Sequence, residues 1–321
     1  MHNYRTCSFR RSGIATGIGL ALLGTATASA AADTLRFGYQ PWPGVTVKTE
    51  VAAQVLQAAG YETDVNELDP QFVYQGMRSD DVDATLGTWM PAHEEMLRPL
   101  LDEGVAVQHA VNLDEAVQGL TVPEYVRAEG VETVADLVEH GDMFDHTIYA
   151  IEAGAGMTRN FQDAVSDDYK DLGEWEVLPS STSGMLSQVR RSVDRDEPIV
   201  FHGWRPHWMD LEFDLHFIVD EDSTLETGRE IAGQESTVYT VVRADWPDTN
   251  PQASAFLGQF KVEADEQSEW IEGYTRQERD AEEVASDWIA DNLDTVEAWL
   301  DGVETPDGEP AIDAVRAHYE Q

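Results

Sequence analysis

The stretch Pro198-Ile199-Val200-Phe201-His202-Gly203-Trp204-Arg205-Pro206-His207-Trp208-Met209 reads as a strand and its exit. Ile199, Val200 and Phe201 form a short apolar run of the kind buried on both faces of a sheet. Gly203 permits a sharp exit and leaves Trp204 at the strand's C-terminal end, where α/β sheets bind ligands. Two other tryptophans share this setting. Trp42 follows Leu35-Arg36-Phe37-Gly38-Tyr39 and precedes Pro43, and Trp89 follows Asp83 to Thr88 and precedes Met90-Pro91. Three rings at three strand ends, facing one another across a cleft, would make an aromatic cage for a cation. The competing reading places all three in a core, since tryptophan is usually well buried. Trp270, Trp288 and Trp299 fall in helical patterns, and Trp175, Trp208 and Trp246 read as packing or surface residues.

Working outward, Leu35 to Tyr39 predicts a first strand and Val45 to Ala59 a helix stopped by Gly60. Strands at 61–68 and 82–86 flank a helix at 72–78. This β-α-β-α-β order predicts a parallel sheet. Further strands are expected at 107–111 and 120–122. A second unit follows: a helix at 134–140, a strand at 147–151, a tight loop at 152–157 and a helix at 158–165. A strand at 175–178, a helix at 183–191 and the strand at 199–201 complete it. Val238 to Val242 predicts a strand returning to the first unit, and residues 251–301 are helical, with Val284, Trp288, Ile289, Val296 and Trp299 on one broad face. The economical arrangement is two α/β lobes. Residues 31–118 form lobe 1, 119–235 lobe 2, and 236–321 the helical return to lobe 1.

Residues 1–30 read as a secretory signal, with Arg5, Arg10 and Arg11, an apolar segment from Gly13 to Gly24, and a small-residue cleavage site at Ala28-Ser29-Ala30. Its removal takes away Cys7, the one cysteine, so disulfide and thiol chemistry are not expected in the mature protein. The chain carries 62 acidic and 20 basic residues, a formal charge of −42. Nucleic acid is excluded as a partner, because phosphate binding needs a basic footprint. A hydrophobic content of 42% and nine tryptophans argue for a packed fold over disorder. An acidic, solvated surface of this kind suits a salt-adapted exported protein, since salt screens its self-repulsion.

Gly154-Ala155-Gly156, between strand and helix, offers free backbone N–H groups at a helix start. A phosphate loop would add a lysine and more glycines, so a carboxylate fits better; an ordinary tight turn is the alternative. His207, three residues after Trp204, is either a hydrogen-bond donor to such a carboxylate or a structural partner. Histidines 93, 109, 140, 146, 202 and 216 show no metal-binding spacing, and His93-Glu94-Glu95 reads as a helix start. Neither a metal nor a cofactor is expected. Ser180-Ser181-Thr182-Ser183-Gly184 lacks the Gly-x-Ser-x-Gly elbow of a hydrolase, and Ser183 is expected to cap a helix. No catalytic residue is assigned, and a secreted hydrolase is the different-class alternative.

Four blocks carry a family resemblance. They are Phe37 to Trp42, Asp81 to Pro91, Leu120 to Val126 and Glu197 to Trp208. Across essentially the whole mature chain, the sequence resembles the extracytoplasmic substrate-binding proteins of glycine betaine, proline betaine and choline ABC transporters. That resemblance implies a two-lobe, type II-like periplasmic-binding fold closing on a ligand in the interlobe cleft. It implies a quaternary ammonium ligand, a membrane permease as partner and a periplasmic location. Trp42, Trp89 and Trp204 fall where the choline-binding branch keeps box residues. Gly44 stands where that branch has an acidic residue, Gln118 where it has a box tyrosine, and Ala155 where it has an asparagine. These departures favour glycine betaine over choline or carnitine, with Gly156 and Met157 offering N–H groups to the carboxylate and His207 assisting.

Overall fold

The computed structural model describes residues 34–220 and 231–320; the expected signal at 1–30 lies outside the described residues. Nine strands form one mixed sheet. They are β1 (Leu35–Tyr39), β2 (Thr63–Glu67), β3 (Ala84–Met90), β4 (Ala106–Pro123), β5 (Thr147–Ala150), β6 (Glu176–Pro179), β7 (Val200–Arg205), β8 (Leu215–Phe217) and β9 (Gln234–Arg243). Their order is β2-β1-β3-β9-β4-β7-β5-β6, with β8 paired to β4. The expected parallel groups are present in each half: β2, β1 and β3 in one, β7, β5 and β6 in the other.

Between them lie β9 and β4, antiparallel to each other and to their outer neighbours. The strands expected at 107–111 and 120–122 are parts of this one 18-residue β4. Its register against β9 shifts at three points between Gln108 and Ala116, which breaks the two-residue alternation that announces a strand. The expected return strand is β9. Near the crossing, a Cβ on Gly119 would come 2.3 Å from the carbonyl oxygen of Ala232. Only glycine lets the two chain passages approach so closely.

Each half has its own hydrophobic core. In the first, Phe37, Val51, Leu56, Phe256 and Trp270 are fully buried where helix Pro43–Ala58 and the C-terminal helices meet the sheet. Here Trp270 packs edge-on to Trp288 at 5.0 Å, and Trp288 stacks on Trp299 at 5.6 Å. In the second, Leu120, Val122, Ile148, Phe161 and Val200 are buried together. A third cluster joins Trp42, Val45 and Ile271 to Ile151, Phe201 and Trp204. Helices Trp208–Phe213 and Ala311–Tyr319 are additions to the sequence reading. Ser181, not Ser183, caps helix Thr182–Val193, accepting from the Gly184 N–H at 3.1 Å. No described helix is long and apolar enough to cross a membrane.

Candidate functional site

Trp42 is the residue at which helix Pro43–Ala58 begins; Pro43 favours that start because its missing N–H would have no partner there anyway. The Trp42 indole donates to Glu152 Oε2 at 3.2 Å. Glu152 in turn accepts from the Thr182 backbone N–H at 2.7 Å and from its hydroxyl at 3.1 Å. A carboxylate in one half thus orients a ring carried by the other. Trp89 lies near the end of β3 and is partly buried, while Trp204 lies near the end of β7 and is buried. All three rings line one cavity.

Gly156 and Met157 line the same cavity. They open helix Gly156–Ser166, so their N–H groups have no acceptor within the helix and lie at its positive end. The reason for glycine here is contact between elements: a Cβ on Gly156 would come 2.1 Å from the Ala92 carbonyl oxygen. Gly44, Gln118 and Ala155 also face the cavity.

His207, expected to assist at the carboxylate, is not among the residues that line the cavity; its ring centroid is 4.9 Å from that of Trp204. Its Nδ1 accepts from the Met209 N–H at 3.1 Å, which caps helix Trp208–Phe213. The histidines that line the cavity are His93 and His202. His202 is buried with both ring nitrogens unpartnered, its ring between Phe161 at 5.6 Å and Trp204 at 5.3 Å. His93 Nδ1 is 2.8 Å from the Tyr74 hydroxyl, which donates to Thr88 at 3.0 Å. Burial holds both rings neutral, with pKa values lowered to about 3; for His93 the charge of Arg159 adds to this.

Lys48 and Gln267 complete the polar wall. Periodicity offers a signal for two of the missed groups. His202 and Trp204 are two apart on a strand and share a face; Gly44 and Lys48 are four apart on a helix and do the same. The electrostatic character of the wall is the more telling fact. Among the described residues that line the cavity there is no aspartate or glutamate, although the chain carries 62. Gln267 Oε1 and both His202 nitrogens are buried without partners. Buried polar groups normally have them, so the cavity is furnished for a polar guest.

A family model described as the substrate binding domain of ABC-type glycine betaine transport system (OpuAC) matches residues 33–291. The glycine betaine/carnitine transport binding protein GbuC of Listeria monocytogenes serotype 1/2a (strain 10403S) is 35% identical over 169 residues. That alignment covers 53% of this chain and 54% of GbuC, so the chain spans about half the length of this curated relative. Among solved structures, an ABC-transporter choline binding protein in complex with choline is 32% identical, with a TM-score of 0.84 over 90% of this chain and 98% of that one. The glycine/betaine/L-proline-binding protein ProX from Borrelia burgdorferi is 26% identical, with a TM-score of 0.78 over 88% of this chain and 99% of that one. The fold is that of the two-lobe periplasmic binding proteins. With its β4–β9 connection and tryptophan-lined cavity in place, the chain belongs to the family of substrate-binding domains of ABC-type glycine betaine transport systems.

Proposed function

We propose that this protein captures glycine betaine outside the cytoplasm and delivers it to an ABC-transporter permease in the membrane. The observation that carries the reading is three tryptophan rings on a cavity wall that also presents N–H donors and lacks acidic side chains. A quaternary ammonium cannot donate hydrogen bonds, so it is held by ring faces and dispersion, each desolvated cation–π contact contributing roughly 0.5–2 kcal/mol. Trp42, Trp89 and Trp204 supply that cage. The carboxylate goes to the N–H groups of Gly156 and Met157, with His202 taking the supporting role expected of His207. Together these suffice for micromolar binding, about −8 kcal/mol. In this reading, residues 31–118 and 236–321 form one lobe and 119–235 the other; they close as a hinge, and residues 1–30 are removed on export to the periplasm.

Choline held by the same cage is the second reading, favoured by the likeness to a choline binding protein. Against it stand Gly44 and Ala155, which offer no side-chain acceptor to a hydroxyl. Titration calorimetry of the mature chain with glycine betaine, choline, carnitine, sugars and amino acids decides. Micromolar binding of betaine, at least tenfold tighter than choline, is expected. Binding of sugars or amino acids without methylammonium compounds would sink the reading.

A further inference from the structure

We propose that Lys48 sets the charge the cavity accepts, selecting a solute that brings its own carboxylate and disfavouring a plain monocation. This rests on the reading of the site as a quaternary ammonium cage. Lys48 lies one helical turn beyond Gly44, is 2% exposed and lines the cavity. Its Nζ donates to Asn112 Oδ1 at 2.8 Å. The Asn112 amide donates in turn to the Leu86 carbonyl at 3.0 Å and the Thr240 hydroxyl at 3.1 Å, which holds Oδ1 toward the lysine. Among the described residues, the hydrogen-bond partner of the ammonium is therefore neutral. A buried charge ordinarily has a counter-charge, and here none is supplied by the wall.

The groups around it bear this out. Strand β4 presents Asn112 to the ammonium, Asn112 being held by Leu86 of β3 and Thr240 of β9, and helix Ala264–Thr275 presents Gln267 to the same cavity. The titratable residues on the wall are His93 and His202, both held neutral by burial. Glu50, on the same helix, interacts with Glu282 and Gln54 instead. Burial alone lowers the Lys48 pKa to about 7, so its charge is adjustable near neutrality. A ligand carboxylate stabilises the ammonium and raises that pKa. A monocation opposes it and lowers it further. A lysine that merely braces Asn112 would be indifferent to ligand charge.

The test is calorimetry of betaine and choline from pH 6 to 9, in buffers of differing ionisation enthalpy. With the wild-type protein, betaine binding should take up a fraction of a proton near pH 7.5 and choline binding should release one. The betaine-to-choline affinity ratio should fall at least tenfold as the pH rises across this range. Lys48→Met should lower the ratio at least tenfold at pH 6.5 and abolish its pH dependence. Binding of both solutes to the wild type with a constant ratio and no proton exchange would overturn the role of Lys48 while leaving the cage intact. Binding of neither solute would remove the cage and this proposal together. The wild-type measurements stand whether or not the variant folds.

Discussion

His202 and His207 sit five residues apart and do different work. Strand alternation turns His202 to the cavity beside Trp204, whereas His207 leaves the strand and caps the next helix through Nδ1. Both are held neutral by burial, with pKa values near 3. For His202 the sign of the pH effect follows directly. Its folded pKa lies below the unfolded value of about 6.5, so the unfolded chain binds the extra proton as pH falls. The stability associated with the neutral ring is present above pH 6.5 and is lost progressively as pH falls toward 3. In His202→Phe that loss disappears. Denaturant unfolding of both proteins from pH 6 to 4 should show the wild type losing stability relative to the variant by about 1.4 kcal/mol per pH unit. Parallel curves would mean the ring is already protonated in the folded state.

At the scale of elements, the approach of the 152–156 loop to the Ala92–His93 segment depends on a missing side chain. A Cβ on Gly156 would stand 2.1 Å from the Ala92 carbonyl, so in Gly156→Ala the two segments must part. The residue opens a helix, where alanine is well tolerated, so folding should survive. Betaine affinity should fall at least tenfold with the melting temperature little changed. Unaltered affinity would show that the halves need not meet here. The elements themselves were largely legible in sequence. Strand runs such as Ile199 to Phe201 and the apolar face of the 43–58 helix are buried on both sides or on a stripe, and burial of that kind leaves a periodic trace. β4 left a broken trace, because Asn112, Asp114 and Glu115 fall in its register shifts. Trp42, Trp89 and Trp204 could be singled out by their shared proline-flanked setting. Gln267 could not, since nothing local distinguishes a glutamine turned toward solvent from one turned into a cavity. His207 poses a related difficulty: proximity in sequence to Trp204 does not indicate whether its ring reaches the cavity wall, from which it is absent.

The whole molecule combines a net charge of −42 with cores of ordinary apolar composition. Self-repulsion among surface carboxylates opposes the compact state, and salt shortens its reach from about 10 Å at 0.1 M to about 3 Å at 1 M. Raising NaCl across that range should raise the thermal midpoint, by about 2–4 °C for each kcal/mol of repulsion relieved. A scanning melt series in which salt lowers the midpoint would contradict this account of the surface.

In NaCl solution such a surface gathers sodium in a dense atmosphere around the protein. The cavity wall, bare of carboxylates, offers that ion no charged oxygen. Hard cations shed water only for oxygen ligands, and ring faces with a buried lysine are a poor exchange for a hydration shell. A methylated ammonium, already wrapped in carbon, has little hydration to surrender on entry. On the proposed reading, an exterior that gathers cations encloses a cavity that turns hydrated ions away and takes a methylated ammonium only with the carboxylate it carries.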